Sequence, residues 1–173
     1  MINPNYKLTK ISYPYKIWIV DDFLSSEYLS KVVSNWPHID LPNWNKGVGK
    51  IFDKKGVLEN RMIAISGKDN IPKLYRNFLS EMESTEVVKF FQNLTSMQNI
   101  LPDKSWRWSG LRQTLAGGHQ LVHADARQHL ESGLTKELTL LLYLNEDYEE
   151  ERDAGQLEIW SDDMKEMIHS LPP

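Results

Sequence analysis

His123 and Asp125 are the residues of this chain best suited by type and spacing to do chemistry: an imidazole and a carboxylate two positions apart can hold one metal ion. They lie in the stretch Gly117-Gly118-His119-Gln120-Leu121-Val122-His123-Ala124-Asp125. On an extended strand, residues i and i+2 project from the same face, so the His123 ring and the Asp125 carboxylate converge while Ala124 turns away. A nitrogen donor and a hard oxygen donor, completed by a second imidazole, form the facial set that suits Fe(II) and leaves coordination positions open. His119 falls in phase with Leu121 and His123, where it can line the same cavity or orient a ligand from behind.

The elements that must position this pair follow from hydrophobic periodicity. From Trp106 onward the period shifts toward two, which predicts strands over residues 106–115, 119–123, 137–144 and 156–160. The third of these is the apolar run Leu138-Thr139-Leu140-Leu141-Leu142-Tyr143-Leu144, closed by the turn residue Asn145. The first hundred residues read differently. A strand is expected over 16–20, then a helix capped by Ser25 or Ser26, with Tyr28, Leu29, Val32, Val33 and Trp36 in helical period until Pro37 ends it. Residues 37–55 read as a loop and 61–66 as a short strand. Ile71, Leu74, Tyr75, Phe78, Leu79 and Met82 form a helical stripe, and Val87, Val88, Phe91 and Leu94 form a second behind the cap Ser84. Both stripes read as support helices packed on a sheet.

Composition bounds the rest. The 173 residues, with 40% hydrophobic and 25% charged side chains, describe one globular domain over 1–173, of which 1–100 supply a strand and support helices and 101–173 the β core. No apolar run approaches the roughly 20 residues of a membrane span, and residues 1–10 lack the apolar stretch of a secretory signal. The chain has no cysteine, which excludes disulfides and thiolate zinc sites and makes a cytoplasmic home the default expectation. A net charge of -4 argues against general nucleic-acid binding. The acidic residues Glu146, Asp147, Glu149, Glu150, Glu151 and Asp153 lack the alternation and central glycine of a calcium loop and read as a solvated connection.

Taken in order, Gly-Gly, His-x-Asp, a polar gap, an apolar strand ending Tyr-Leu-Asn, an acidic loop and Gly155-Gln156-Leu157-Glu158-Ile159-Trp160 resemble the prolyl-4-hydroxylase-like branch of the Fe(II)- and 2-oxoglutarate-dependent dioxygenases. The resemblance spans residues 106–165, with a weaker match at Ile17-Trp18-Ile19-Val20-Asp21-Asp22-Phe23-Leu24-Ser25. It implies an α+β fold with a mainly β core, here the first part of a double-stranded β-helix or jelly roll of about eight strands. It implies Fe(II) and 2-oxoglutarate as cofactors, with ascorbate as an accessory reductant, and hydroxylation of a C–H bond in a protein side chain or small metabolite. It places the distal His and the basic 2-oxoglutarate anchor beyond Pro173, so that residues 161–173 correspond to a short helix and proline ahead of the distal strand.

The same resemblance assigns roles to further residues. His123 and Asp125 become metal ligands and catalytic residues. Thr114 stands where the family commonly has a Tyr bonded to 2-oxoglutarate. Tyr143 can point toward the cosubstrate, Arg112 can face its carboxylate, and Lys136 is a conceivable substitute anchor. Arg127, His129 and Glu131 lie in the gap that borders the substrate mouth. His169 is read as a helix-end imidazole rather than as the third ligand. The partners implied are the small-molecule cosubstrate and the substrate, with no nucleic acid and no membrane, and a homodimer through an exposed sheet edge is open. A non-catalytic jelly-roll binding module, or an inactive truncated homologue, is the competing reading.

Overall fold

Apolar side chains at helical spacing, each stripe opened by a residue that stops the preceding strand or loop, give the longer helices among the described residues. The computed structural model describes residues 1–45, 49–53, 56–106, 109–129 and 132–173, with side chains described outside 46–60. Helix α1 (Ser26–Ser34) follows Ser25, α2 (Lys73–Met82) follows Pro72, and α3 (Thr85–Thr95) follows Ser84. The Ser84 hydroxyl accepts from the Val87 amide at 3.3 Å, which satisfies one of the orphan donors of the first turn. α1 stops at Ser34, three residues before Pro37, as the proline requires. A short helix, α4 (Glu150–Asp153), closes the acidic connection.

Among the described residues, eight strands pair as four two-stranded antiparallel sheets: β1 (Lys7–Ile11) with β2 (Ile17–Asp21), β3 (Gly49–Asp53) with β4 (Gly56–Asn60), β5 (Met62–Ser66) with β6 (Gly110–Thr114), and β7 (Leu157–Trp160) with β8 (Met167–Leu171). The fold is therefore α+β, and among the described residues no sheet closes into a barrel. No helix among the described residues is long and apolar enough to cross a membrane.

The chain divides into two compact units, residues 36–121 and residues 1–35 with 122–173. The first is built on β5 and β6, which bring Ile65 opposite Leu111, and on α2 and α3, which add Tyr75, Phe78, Val87 and Phe91 to the core. Gly110 has a steric reason to be glycine, since a Cβ there would sit 2.3 Å from the Ile65 carbonyl oxygen. Trp36 meets Tyr75 edge-on at 5.7 Å and donates its indole N–H to the Gln113 side-chain oxygen at 2.9 Å. The loop expected over 37–55 is anchored by Trp44, only 4% exposed, and contains β3. Four of the five largest fully buried side chains, Trp106, Tyr75, Ile65 and Ile71, belong to this unit.

Burial pushes the Tyr75 hydroxyl up to about 12. The unfolded chain releases this proton near pH 10, whereas the folded chain holds it until about 12, so stability is intact below pH 10 and falls as pH rises through that window. We expect the urea midpoint to drop between pH 9.5 and 11.5, both values set about the ordinary tyrosine range, and Tyr75→Phe to flatten the drop relative to the parent protein.

The second unit joins β1 and β2, α1, and the β7–β8 hairpin around Phe23, Leu24, Val32 and Ile159. Several sequence expectations across the two units require correction. The helix expected within 161–173 is instead the turn 161–166 followed by β8. The Ser161 hydroxyl bonds Asp163 and accepts from the amides of Lys165 and Glu166, so the chain reverses and residues 167–171 return along β7. Residues 119–123 and 137–144, expected as strands, carry no strand ladder among the described residues. A strand needs a neighbour to take its backbone hydrogen bonds, and Leu140, Leu141 and Leu142 remain 38–56% exposed. β6 likewise begins only at Gly110, not at Trp106.

Candidate metal site

The chain immediately after Asp125 folds back as a hairpin. Gln128 bridges Thr135, the His129 amide donates to the Leu134 carbonyl at 2.8 Å, and the Lys136 amide donates to the Arg127 carbonyl at 2.6 Å. Gly133, at φ 69, takes the left-handed position that lets the turn close. Because Lys136 stands opposite Arg127, and Asp125 lies two residues before Arg127 on the same face, a long side chain from Lys136 reaches Asp125 diagonally. The Lys136 ammonium indeed lies 3.0 Å from Asp125 Oδ2.

The other carboxylate oxygen faces His123. Asp125 Oδ1 and His123 Nε2 are 3.6 Å apart, and both side chains are about half exposed. That separation exceeds a hydrogen bond. Two donor atoms each about 2.1 Å from a common ion stand about 3.0 Å apart at a right angle and about 3.4 Å apart at the tetrahedral angle. To share one divalent ion the pair would close by about 0.2 Å for a tetrahedral ion and by about 0.6 Å for the right angle of a facial set. Among the described residues, no group of three or more His, Asp or Glu side chains converges; His123 with Asp125 is one of two such His-x-Asp pairs, the other being His38 Nδ1 with Asp40 Oδ2 at 3.3 Å.

The remaining candidates sit as follows. Arg127 is largely exposed on the hairpin, 3.9 Å from Glu137. His129 is 4% exposed, and its Nδ1 accepts from the Ser132 amide at 3.2 Å, so its ring organises the turn from inside. Glu131 lies outside the described residues. Tyr143 is 38% exposed, and partial burial raises its hydroxyl above the ordinary tyrosine value. His169 lies on β8, not on a helix, and its Nε2 donates to the Tyr13 carbonyl at 2.8 Å. Arg112 and Thr114 are exposed residues of β6 in the 36–121 unit, alternating with buried Leu111 and half-buried Gln113. His119 is an exposed residue of the same unit, after a turn in which the Gly118 amide donates to Leu115 and Gly117 adopts φ 75.

The acidic connection folds around Arg152. Its guanidinium bonds Asp153 and the Asp147 carbonyl and pairs with Glu149 at 3.4 Å. The hydrogen bond from Arg152, with a second from the Glu149 amide, holds the Asp153 carboxyl down at about 2. The Asp153 and Glu149 carboxylates are thus paired with an internal cation.

The contact that sequence reasoning missed is Lys136 with Asp125. Its signal was the segment Ser132-Gly133 between two polar arms, a short hairpin loop with glycine at the left-handed position. No family model matches the chain, and comparison with curated proteins and with solved structures likewise gives no match.

Proposed function

We propose that this chain is an Fe(II)- and 2-oxoglutarate-dependent oxygenase of the prolyl-4-hydroxylase-like type, with His123 and Asp125 as two of its metal ligands. The observation that supports the reading is the approach of His123 Nε2 and Asp125 Oδ1 to 3.6 Å, a nitrogen and a hard oxygen side by side after the Gly-Gly turn. In this reading, the hairpin that pairs Arg127 with Lys136 and Gln128 with Thr135 belongs to a double-stranded β-helix. The third ligand and the basic anchor of the cosubstrate are assigned to no described residue.

Bound Fe(II) with 2-oxoglutarate supplies the oxidising power for C–H hydroxylation. The chain's own residues do simpler work. His123 would give an imidazole nitrogen to the ion, and Asp125 one carboxylate oxygen. Lys136 holds the second oxygen of Asp125. Arg127, exposed on the same hairpin, offers a cation to an acidic group of an incoming substrate.

Anaerobic titration with Fe(II) in the presence of 2-oxoglutarate tests the proposal. We expect saturable binding by the parent protein, binding weaker by about 100-fold or more in His123→Ala, given that even residues behind the ligands are worth 10–100-fold, and succinate formation on admitting air. Equal binding by the two proteins sinks the oxygenase and leaves the jelly-roll binding module.

A further inference from the structure

The Lys136 ammonium is placed where it does more than decorate the hairpin. Its side chain is only 22% exposed, against 52% for Asp125, and its ammonium lies 3.0 Å from Asp125 Oδ2. The hairpin fixes this delivery, through the 2.6 Å bond of the Lys136 amide to Arg127 and the bridge of Gln128 with Thr135. One carboxylate thus meets Lys136 at Oδ2 and His123 Nε2 at Oδ1.

We infer that Lys136 is a built-in competing cation, a positioning residue that weakens divalent-metal binding at His123 and Asp125 and so keeps loading of the site reversible. The inference rests on the metal-site reading above and adds to it the residue that sets the affinity. An ion between Oδ1 and Nε2 lies about 5 Å from the ammonium, where like charges of one and two units repel. In water at 0.1 M salt this repulsion weakens the ion's binding by about fivefold, and at 1 M salt by less than about twofold. The sign is diagnostic. A lysine that merely oriented the carboxylate, or merely supported the fold, would strengthen metal binding, and its loss would weaken it.

The test is titration of the whole chain with Co(II), an air-stable probe, followed by calorimetry and by the visible absorption of the bound ion. Parent protein, Lys136→Met, Lys136→Arg and His123→Ala are compared at low and high salt. Lys136→Met is expected to bind Co(II) about fivefold tighter at 0.1 M salt and nearly like the parent at 1 M, while Lys136→Arg, which keeps the charge, stays at the parent value. Unchanged or weaker binding by Lys136→Met, with parent binding that depends on His123, overturns the competing-cation role alone. Binding by neither the parent nor Lys136→Met, or binding indifferent to His123, overturns the metal site itself and this inference with it. Circular dichroism of Lys136→Met confirms that a comparison of folded proteins is being made, and Lys136→Gln provides a second neutral variant with the same expected sign.

Discussion

Trp106→Ala is expected to destabilise the 36–121 unit by about 3–5 kcal/mol, the range for truncating a buried large aromatic. Trp106 is 1% exposed, donates its indole N–H to Glu83, and carries the Lys68 ammonium 4.8 Å above its ring. It also sits at φ 53, a left-handed conformation that costs a residue with a Cβ about 1–2 kcal/mol. Burying an indole of 150–250 Å² at about 25 cal/mol per Å² contributes about 4–6 kcal/mol, so packing outweighs the strain. Alanine keeps the Cβ, and therefore the strain, while losing the packing. Such a loss is a large part of the roughly 5–15 kcal/mol that holds a domain folded. Urea unfolding measures it, with Trp106→Phe as the variant that loses only the hydrogen bond and part of the volume. A shift below about 1 kcal/mol for Trp106→Ala would show that the ring is not a keystone of this core.

Asp125→Asn is expected to leave the fold intact and to lower divalent-metal affinity by about 100-fold or more, because it removes the negative oxygen on which the site depends while preserving shape. The fold survives because Asp125 is half exposed and its ion pair with Lys136 is a surface pair worth about 0–1 kcal/mol. Calorimetric titration with Co(II), beside a thermal melt, separates the two effects. Metal affinity retained within about threefold would remove Asp125 from the ligand set, since a lost ligand weakens binding far more than that.

How much of this was legible in the sequence varies with the range of the interaction involved. α1, α2 and α3 were readable within a residue or two, because a helix is written in contacts three and four positions apart, and Ser84 announced its own cap. The convergence of His123 and Asp125 was readable for the same reason, as an i, i+2 relation needs only local extension. The pairing of Lys136 with Asp125 needed the hairpin register, which a single bridge at Gln128 and Thr135 fixes. β8 was misread as a helix because the resemblance places a short helix and proline over 161–173; the turn built by Ser161 and Asp163 decided it instead. The division into residues 36–121 and the remainder depends on contacts between distant segments, which no local pattern encodes. The apolar run 138–144 was readable as a strand by composition, yet strand character is conferred by a neighbour, and Leu140 to Leu142 are exposed.

The imidazole proton resonances of the five histidines, followed by NMR as Mn(II) is added in small steps, test the metal site most directly. His123 is expected to broaden first, at substoichiometric Mn(II), and Asp125→Asn to abolish that selectivity. Equal broadening of His38, His119, His123 and His169, or a His123 signal that outlasts the others, would contradict the assignment of this pair as a metal site.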